Sequence, residues 1–332
     1  MIIFSIESSC DETAAAITQN GRHVLAGVVS SQTDIHKKYG GVVPEIASRM
    51  HIESLAGLAE EALKISGLSR KDINAVAVTV TPGLIGALLT GLGFAKAVAY
   101  SLNLPLIPVN HVYAHIAANY IEYPELEPPF VSLVASGGHT LFCDVKSYTE
   151  IEILGSTRDD AAGECFDKIA RALSLSYPGG KEMDELGHLG NESAFKFPKP
   201  IFSDNEFDCS FSGLKTSVIN LIHNCEQKNM PVAKNDIAAS FNKTIVDILI
   251  PRILRAAEVR KRDKICVAGG VAANSHVRSA LKIACLERDI KIYIPSIRLC
   301  GDNSEMVGCA GYYEYLNGNT AALNQNAFAN AF

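Results

Sequence analysis

His111 and His115 stand four residues apart, and Asp302 lies far along the chain in a loop that follows Gly301. These are the residue types and spacing that could hold one metal ion. Imidazoles at i and i+4 project from the same face of a helix, at a separation that a first-row cation can bridge. A carboxylate from elsewhere completes a facial set and leaves coordination positions open for a substrate. The plainer alternative is a chance pair on a helix surface, since short motifs recur without function. His111-Val112-Tyr113-Ala114-His115 also lacks the glutamate that follows the first histidine of zinc peptidases, which argues against a metalloprotease.

The elements that must position these residues read as a duplication. Ile2 to Ile6 is a β-rich run, Glu7 to Thr13 a turn, and Ala14 to Ile17 a second apolar run. Phe130 to Ala135, Ser136-Gly137-Gly138-His139-Thr140 and Leu141 to Val145 repeat the plan. A strand, a small-residue hairpin and a returning strand, used twice, predict an α/β chain of the actin-like, sugar-kinase-like ATPase fold, with duplicated βββαβαβα domains in two lobes. The expected boundaries are 1–128 for the first lobe, 129–316 for the second with inserted loops around 156–211, and a polar Asn/Ala tail at 317–332. The metal ligands are expected to converge across the cleft between the lobes.

Within the first lobe, His51 to Ser66 predicts an amphipathic helix, Ala75 to Val80 a buried strand, Leu84 to Leu102 a helix and Leu106 to Val109 a strand. Asn110 then caps the helix that carries the histidines. In the second lobe, Asp236 to Val259 predicts a long helix kinked at Pro251, Lys264 to Ala268 a strand, Ser275 to Glu287 a helix and Lys291 to Ile294 a short strand.

Gly137-Gly138, Gly179-Gly180 and Gly269-Gly270 let backbone amides approach a ligand, and the last pair aims a helix N-terminus at negative charge. Each alone reads as a tight turn. Together they predict a nucleotide or acyl-adenylate site, with Asp167 and Asp184 placed to accept hydrogen bonds from ribose hydroxyls or an amino group, or simply to face solvent.

Composition excludes several classes. At 332 residues, with 48% apolar and 20% charged, the chain suits two globular domains and not a disordered polymer. A net charge of −6 argues against a general nucleic-acid coat protein, although Arg252 to Lys264 is locally basic and could steer an RNA or be a solvated helix face. Nine cysteines without a Cys-x-x-Cys pair point to a reducing compartment. The start lacks a basic n-region, and the apolar run Leu84 to Tyr100 is interrupted by Gly86, Gly91, Gly93 and Lys96, so a cytoplasmic location with no membrane is expected.

The segments Glu7 to Thr13, Tyr39 to Glu45 with Ser48-Arg49-Met50-His51, Asn110 to His115, Ser136 to Thr140, Asp159 to Glu164, Ser210 to Lys215 and Gly269 to Asn274 resemble the bacterial branch of the tRNA N6-adenosine threonylcarbamoyltransferase family, once regarded as O-sialoglycoprotein endopeptidases. The resemblance runs from about Ile2 to Tyr315. It implies transfer of a threonylcarbamoyl group from threonylcarbamoyl-AMP to the N6 amine of adenosine 37, in tRNAs that read ANN codons, with release of AMP. By the same resemblance His111, His115 and Asp302 would hold one divalent ion, Fe2+ or Zn2+. Val134, Ala135, Ser136, Gly137, Gly138, Asp167, Gly180, Asp184 and Asn274 would contact the adenylate, with ATP or ADP as further ligands. Asp11 and Glu12 would lie near the reacting carbonyl, one of them taking the amine proton.

The implied partners are tRNA, a smaller actin-like paralogue forming a heterodimer, and a P-loop ATPase subunit. Lys37 to His51 and the apolar helices of the first half are candidate docking surfaces. One motif departs from the family pattern Thr-Asp-Asn-Gly-x-Met: here it reads Gly301-Asp302-Asn303-Ser304-Glu305-Met306, losing a hydroxyl, replacing a glycine and adding a charge near the expected ion. The competing readings are an ATPase or kinase of the same superfold, and a non-catalytic actin-like scaffold subunit.

Overall fold

In the computed structural model, which describes residues 1–330, β1 (Ile2–Glu7) is buried from Ile3 onward because it forms the middle strand of a five-stranded sheet. β2 (Glu12–Gln19) folds back antiparallel on β1, and β3 (His23–Ser31) continues the meander. A single turn of helix, α1 (Thr33–His36), leads to α2 (Pro44–Ser66). Proline at the first helical position loses no hydrogen bond there. Hence α2 starts at Pro44, two turns before the expected His51, and it ends on Gly67 in the left-handed region. β4 (Ala75–Thr81) and β5 (Leu106–Asn110) lie parallel, joined by the crossover helix α3 (Ile85–Leu102). By length and composition α3 could cross a membrane, yet Leu88, Leu92, Ala95 and Ala99 pack into the core with Leu55, Leu58 and Val78. α4 (His111–Glu122) follows β5 directly.

The second sheet repeats the first. β6 (Phe130–Ala135), β7 (Thr140–Val145) and β8 (Ile151–Ser156) form an antiparallel meander. The stretch around 156–211, expected to hold inserted loops, contains α5 (Ala162–Ala172) and α6 (Gly180–Gly187), and α7 (Ser212–Gln227) and α8 (Lys234–Arg260) follow. β9 (Lys264–Ala268) lies parallel to β6, α9 (Ser275–Leu286) crosses over, β10 (Lys291–Tyr293) lies parallel to β9, and α10 (Ile297–Cys300) ends the run. Read from β3 and from β8, both sheets place their strands third, second, first, fourth, fifth, so the predicted duplication is present strand for strand.

The chain finishes with α11 (Ser304–Leu316). One compact unit comprises Met1–Glu127, Ser147–Glu150 and the residues from Gly301 onward; the other comprises Pro128–Lys146 and Ile151–Cys300. Within the first unit α11 lies on β1, where Ser5 Oγ donates to Ser304 O at 2.7 Å. Arg22 helps fix this helix: its guanidinium bonds Tyr313 Oη at 2.6 Å, Tyr148 Oη at 2.9 Å and the carbonyl of Pro124 at 2.7 Å. The polar tail docks on the first unit through Ala321 N to Leu106 O at 2.8 Å and Phe328 N to Val80 O at 2.9 Å.

The basic run after Arg252 is paired within its own unit. Arg255 meets Glu206 and Glu258, Arg260 meets Glu152, Arg262 meets Asp144, and Arg252 bonds the carbonyls of Pro200, Asp208 and Ile248. Those cations are engaged with protein groups, which favours a structural role over steering an RNA.

Candidate active site

All three candidate ligands lie in the first unit. Asn110 caps α4 by accepting from Val112 N at 2.9 Å and Tyr113 N at 3.3 Å, which makes His111 the first helical residue and puts His115 one turn on. Asn303 caps α11 in the same manner, accepting from Met306 N at 2.9 Å. It also donates to Gly301 O at 2.8 Å, so Asp302, between Gly301 and Asn303, is held at the helix entrance. Asp302 Oδ1 then lies 3.5 Å from His111 Nε2 and 3.1 Å from His115 Nε2, and the two rings meet edge to face at 4.6 Å.

This trio fits a divalent cation. The His115 ring is buried, and although its Nε2 approaches Asp302, neither nitrogen has the alignment of a hydrogen bond. That state costs about 1–3 kcal/mol if nothing else binds them. His111 is oriented from behind: Nδ1 lies 3.1 Å from Glu7 Oε2 and 3.1 Å from Ser9 Oγ, leaving Nε2 toward Asp302. A carboxylate on the far nitrogen of a ligating histidine sets its tautomer and strengthens it as a donor. Glu7 is itself fully buried and accepts from Ser9 N at 2.6 Å and Thr79 Oγ1 at 2.6 Å.

Electrostatics show that the pocket calls for positive charge. Burial opposes protonation of His111, but Asp302 and Glu7 outweigh it and lift its pKa to about 9. Burial raises Glu7, and the facing His111 more than cancels this, holding the carboxyl below its usual value. In the metal-free chain the charge is a proton, which a cation must displace. Zn2+ binding near pH 7.5 should therefore release at least one proton per ion, measured by calorimetry in buffers of different ionisation enthalpy; zero release would contradict the assignment. Because the folded pKa of His111 lies above its ordinary 6.5, its stabilisation is full below about 6.5 and is lost as pH rises through about 9. The melting temperature of the chelator-treated chain should fall across that window.

The loop after β1 brings Asp11 and Glu12 beside the trio. His51 on α2 fixes it, with Nε2 donating to Cys10 O at 2.9 Å and Nδ1 taking Thr13 Oγ1 at 2.7 Å. Burial lowers the His51 pKa, in keeping with a neutral ring that donates at one end and accepts at the other. From the other side Leu84 N donates to Ser9 O at 2.8 Å, and a Cβ at Gly83 would meet that same oxygen at 2.5 Å, so glycine is needed for the approach. Burial, Asp11 and Asp302 together raise the Glu12 carboxyl to about 9.

The second unit gathers the residues expected to contact an adenylate. Val134 and Ala135 end β6, and Ser136 N donates to His139 O at 2.8 Å to close the hairpin over Gly137 and Gly138. Gly137, Gly138, Gly180 and Gly270 all border open space, whereas a Cβ at Gly269, whose φ is +87°, would strike Ala135 O at 2.4 Å. Asp167 accepts from Gly179 N at 2.7 Å. Asp184 accepts from Ser275 N at 3.0 Å and Ser275 Oγ at 2.9 Å, and Asn274 caps α9 through Val277 N at 3.0 Å. Each of these carboxylates thus holds a glycine turn or a helix start in place.

Residues 23–309 match the model of the family described as tRNA N6-adenosine threonylcarbamoyltransferase. The chain belongs to that family. It is 53% identical over 99% of its length to the tRNA N6-adenosine threonylcarbamoyltransferase of Clostridium perfringens, covering 97% of that protein, and 52% identical to that of Clostridium kluyveri, covering 96%. Among solved structures it is similar to T. kodakarensis HypF, with a TM-score of 0.65 at 15% identity over 96% of this chain and 48% of that one. It is also similar to component A of the Acidaminococcus fermentans (R)-2-hydroxyglutaryl-CoA dehydratase, with a TM-score of 0.55 at 16% identity over 96% and 98%. The repeated sheets are those of the actin-like, sugar-kinase-like α/β fold.

The departures from the family motif are accommodated. Ser304 has no positive φ; it is the first residue of α11, and its hydroxyl lies 3.1 Å from Ser5 Oγ. Glu305, the added charge, lies with its carboxylate against Gly27 of β3, where a Cβ would meet Oε1 at 2.0 Å. Glu7 and Ser9, both within the Glu7 to Thr13 segment, orient His111. The signal for Glu7 was an acidic residue closing an otherwise apolar strand.

Proposed function

We propose that the chain transfers the threonylcarbamoyl group of threonylcarbamoyl-AMP to the N6 amine of adenosine 37 in tRNAs reading ANN codons, releasing AMP. The match of residues 23–309 to the family carries this reading, and the buried His111 and His115 with the partly exposed Asp302 supply its centre. An exocyclic adenine amine is a weak nucleophile because its lone pair is delocalised into the ring. The donor is therefore a mixed anhydride with a good leaving group, and the protein's task is to align the two and receive the proton. The amine nitrogen attacks the carbamoyl carbon, the bond to the phosphate oxygen breaks, and AMP departs with that electron pair.

We assign the amine proton to Asp11, beside Glu12, whose own carboxyl is pushed up by burial, Asp11 and Asp302. The hairpin from Val134 to Gly138, with Asp167, Gly180, Asp184 and Asn274, is assigned to the adenylate. A bound Fe2+ or Zn2+ would act as Lewis acid and template for donor oxygens. Imidazole donors suit these ions better than Mg2+, which disfavours a kinase or ATPase of the same fold. Asp11, Glu7 and the candidate ligands have no evident purpose in a silent scaffold.

The partners we assign are tRNA, a smaller actin-like paralogue and a P-loop ATPase, in the cytoplasm. Ile52 on α2 and Ile85 and Leu89 on α3 are exposed apolar residues that would serve as the docking face for the paralogue. The test is to combine the chain with those partners, preformed threonylcarbamoyl-AMP and unmodified tRNA, and to read the mass added at adenosine 37. Asp11→Asn should lose transfer by about 100-fold or more, as expected for a general base, and Glu12→Gln should lose less. No added mass in the complete mixture would reject the function, and equal activity of Asp11→Asn and wild type would reject the proton acceptor.

A further inference from the structure

In the second unit α5 begins without a capping side chain, with Ala161 at its N-cap. An α-helix leaves its first four N–H groups without partners inside the helix, and the hairpin after β6 takes two of them here. Ala162 N donates to the hydroxyl of the buried Thr140 at 2.9 Å, and Gly163 N donates to Ser136 O at 3.1 Å. The approach admits no larger residue, since a Cβ at Gly163 would meet Ser136 O at 2.5 Å and Gly137 Cα at 2.9 Å.

The same helix reaches the next glycine turn. Asp167, one helical turn beyond Gly163, accepts from Gly179 N at 2.7 Å, and a Cβ at Gly179 would strike that of Ala170. One helix thus touches two glycine loops, while Gly137, Gly138 and Gly180 keep open space on their free sides. Its entrance is tied down from behind. Asp159 accepts from Ser210 Oγ at 2.5 Å and from Phe211 N at 2.8 Å. Asp160 accepts from Ser212 Oγ at 3.1 Å and pairs with Lys168 at 2.9 Å and with Lys215. Because the entrance of α5 is fastened to the start of α7, crowding at Gly163 must be relieved by the hairpin.

We propose that α5 sets the spacing between the Ser136–Gly138 hairpin and the Gly179-Gly180 turn, with Thr140 and Gly163 as positioning residues for the donor, a role that rests on the assignment of both loops to the adenylate. They act through the hairpin backbone. Misplacing a positioned group by about 1 Å costs about 100-fold in rate, so a shift of a few tenths of an ångström has a measurable effect.

The experiment is calorimetric titration of the full-length chain with AMP, together with KM for threonylcarbamoyl-AMP in the complete transfer mixture. Gly163→Ala and Thr140→Val should each weaken AMP binding and raise KM by at least about tenfold. Thr140→Ser, which keeps the hydroxyl that accepts from Ala162 N, should stay within about twofold of wild type, a rescue that a purely volumetric role for Thr140 would not give. Gly138→Val fills the open side of the hairpin and tests the adenylate assignment itself. Wild-type AMP affinity in Gly138→Val would overturn that assignment and the spacing role with it. Weakened binding in Gly138→Val, with wild-type binding in Gly163→Ala and Thr140→Val, would overturn the spacing role alone, as would Thr140→Ser binding as weakly as Thr140→Val.

Discussion

His115→Ala should lower the affinity of the His111–His115–Asp302 centre for its cation by at least about 100-fold and abolish threonylcarbamoyl transfer in parallel, while leaving the metal-free chain nearly as stable as wild type. Loss of a residue that merely orients a ligand already costs about 10–100-fold, and His115 is a candidate ligand with both nitrogens otherwise unbonded. The stability part follows from the same observation. Removing the ring leaves a cavity, but it also removes a buried polar group without a hydrogen-bond partner, worth about 1–3 kcal/mol in the opposite direction. Metal content by elemental analysis, the transfer assay and calorimetric melting in chelator check the three parts. Undiminished metal content would end the assignment, and a metal-free loss above about 3 kcal/mol would show that His115 serves packing instead.

Glu7→Gln should be costly with or without metal. The carboxylate accepts from Ser9 N on one oxygen and from Thr79 Oγ1 on the other, where it also faces His111 Nδ1. A carboxamide has one acceptor oxygen. If its NH2 replaces the first oxygen it confronts the Ser9 N–H, leaving two donors unpaired at about 1–3 kcal/mol. If it replaces the second, His111 Nδ1 must become the acceptor, and the proton moves to Nε2, the nitrogen needed for the cation. Either arrangement weakens metal binding by about 10–100-fold. The distinguishing sign lies in pH: without the Glu7 charge the His111 pKa falls, so the decline in melting temperature between about pH 7 and pH 9 flattens. A variant that keeps both the metal affinity and the slope would show that Glu7 does not act on His111.

Much of this centre was legible because it depends on local rules. Asn110 announces a helix start, the spacing of His111 and His115 places both on one face, and Ile2 to Ile6 can only be a strand interior. What escaped depends on distant partners. β3 carries Gly27, where a Cβ would meet the Glu305 carboxylate nearly the whole chain away. The tail is polar and finds its partners in the backbone of Leu106 and Val80, which no periodicity reports. The membership of Asp302 was also hidden. The expected meeting of ligands across a cleft assumed that everything after residue 128 stays with the second lobe, whereas Ser304 returns the chain to β1 through Ser5. Pro44 was a readable signal for the start of α2, but the apolar stripe that begins later outweighed it.

The return of the chain at Gly301 orders events during translation. Both imidazoles are made early in the polypeptide, but Asp302 follows only after residues 128–300 have been added. At about 5–20 residues per second that delay is on the order of 10–40 s. Throughout it the nascent first sheet lacks the helix that covers β1, while the second unit already has its full complement of residues by the end. Ribosome-bound chains should therefore complete the later-encoded half before the earlier one, and the three candidate ligands come together only once synthesis is almost finished.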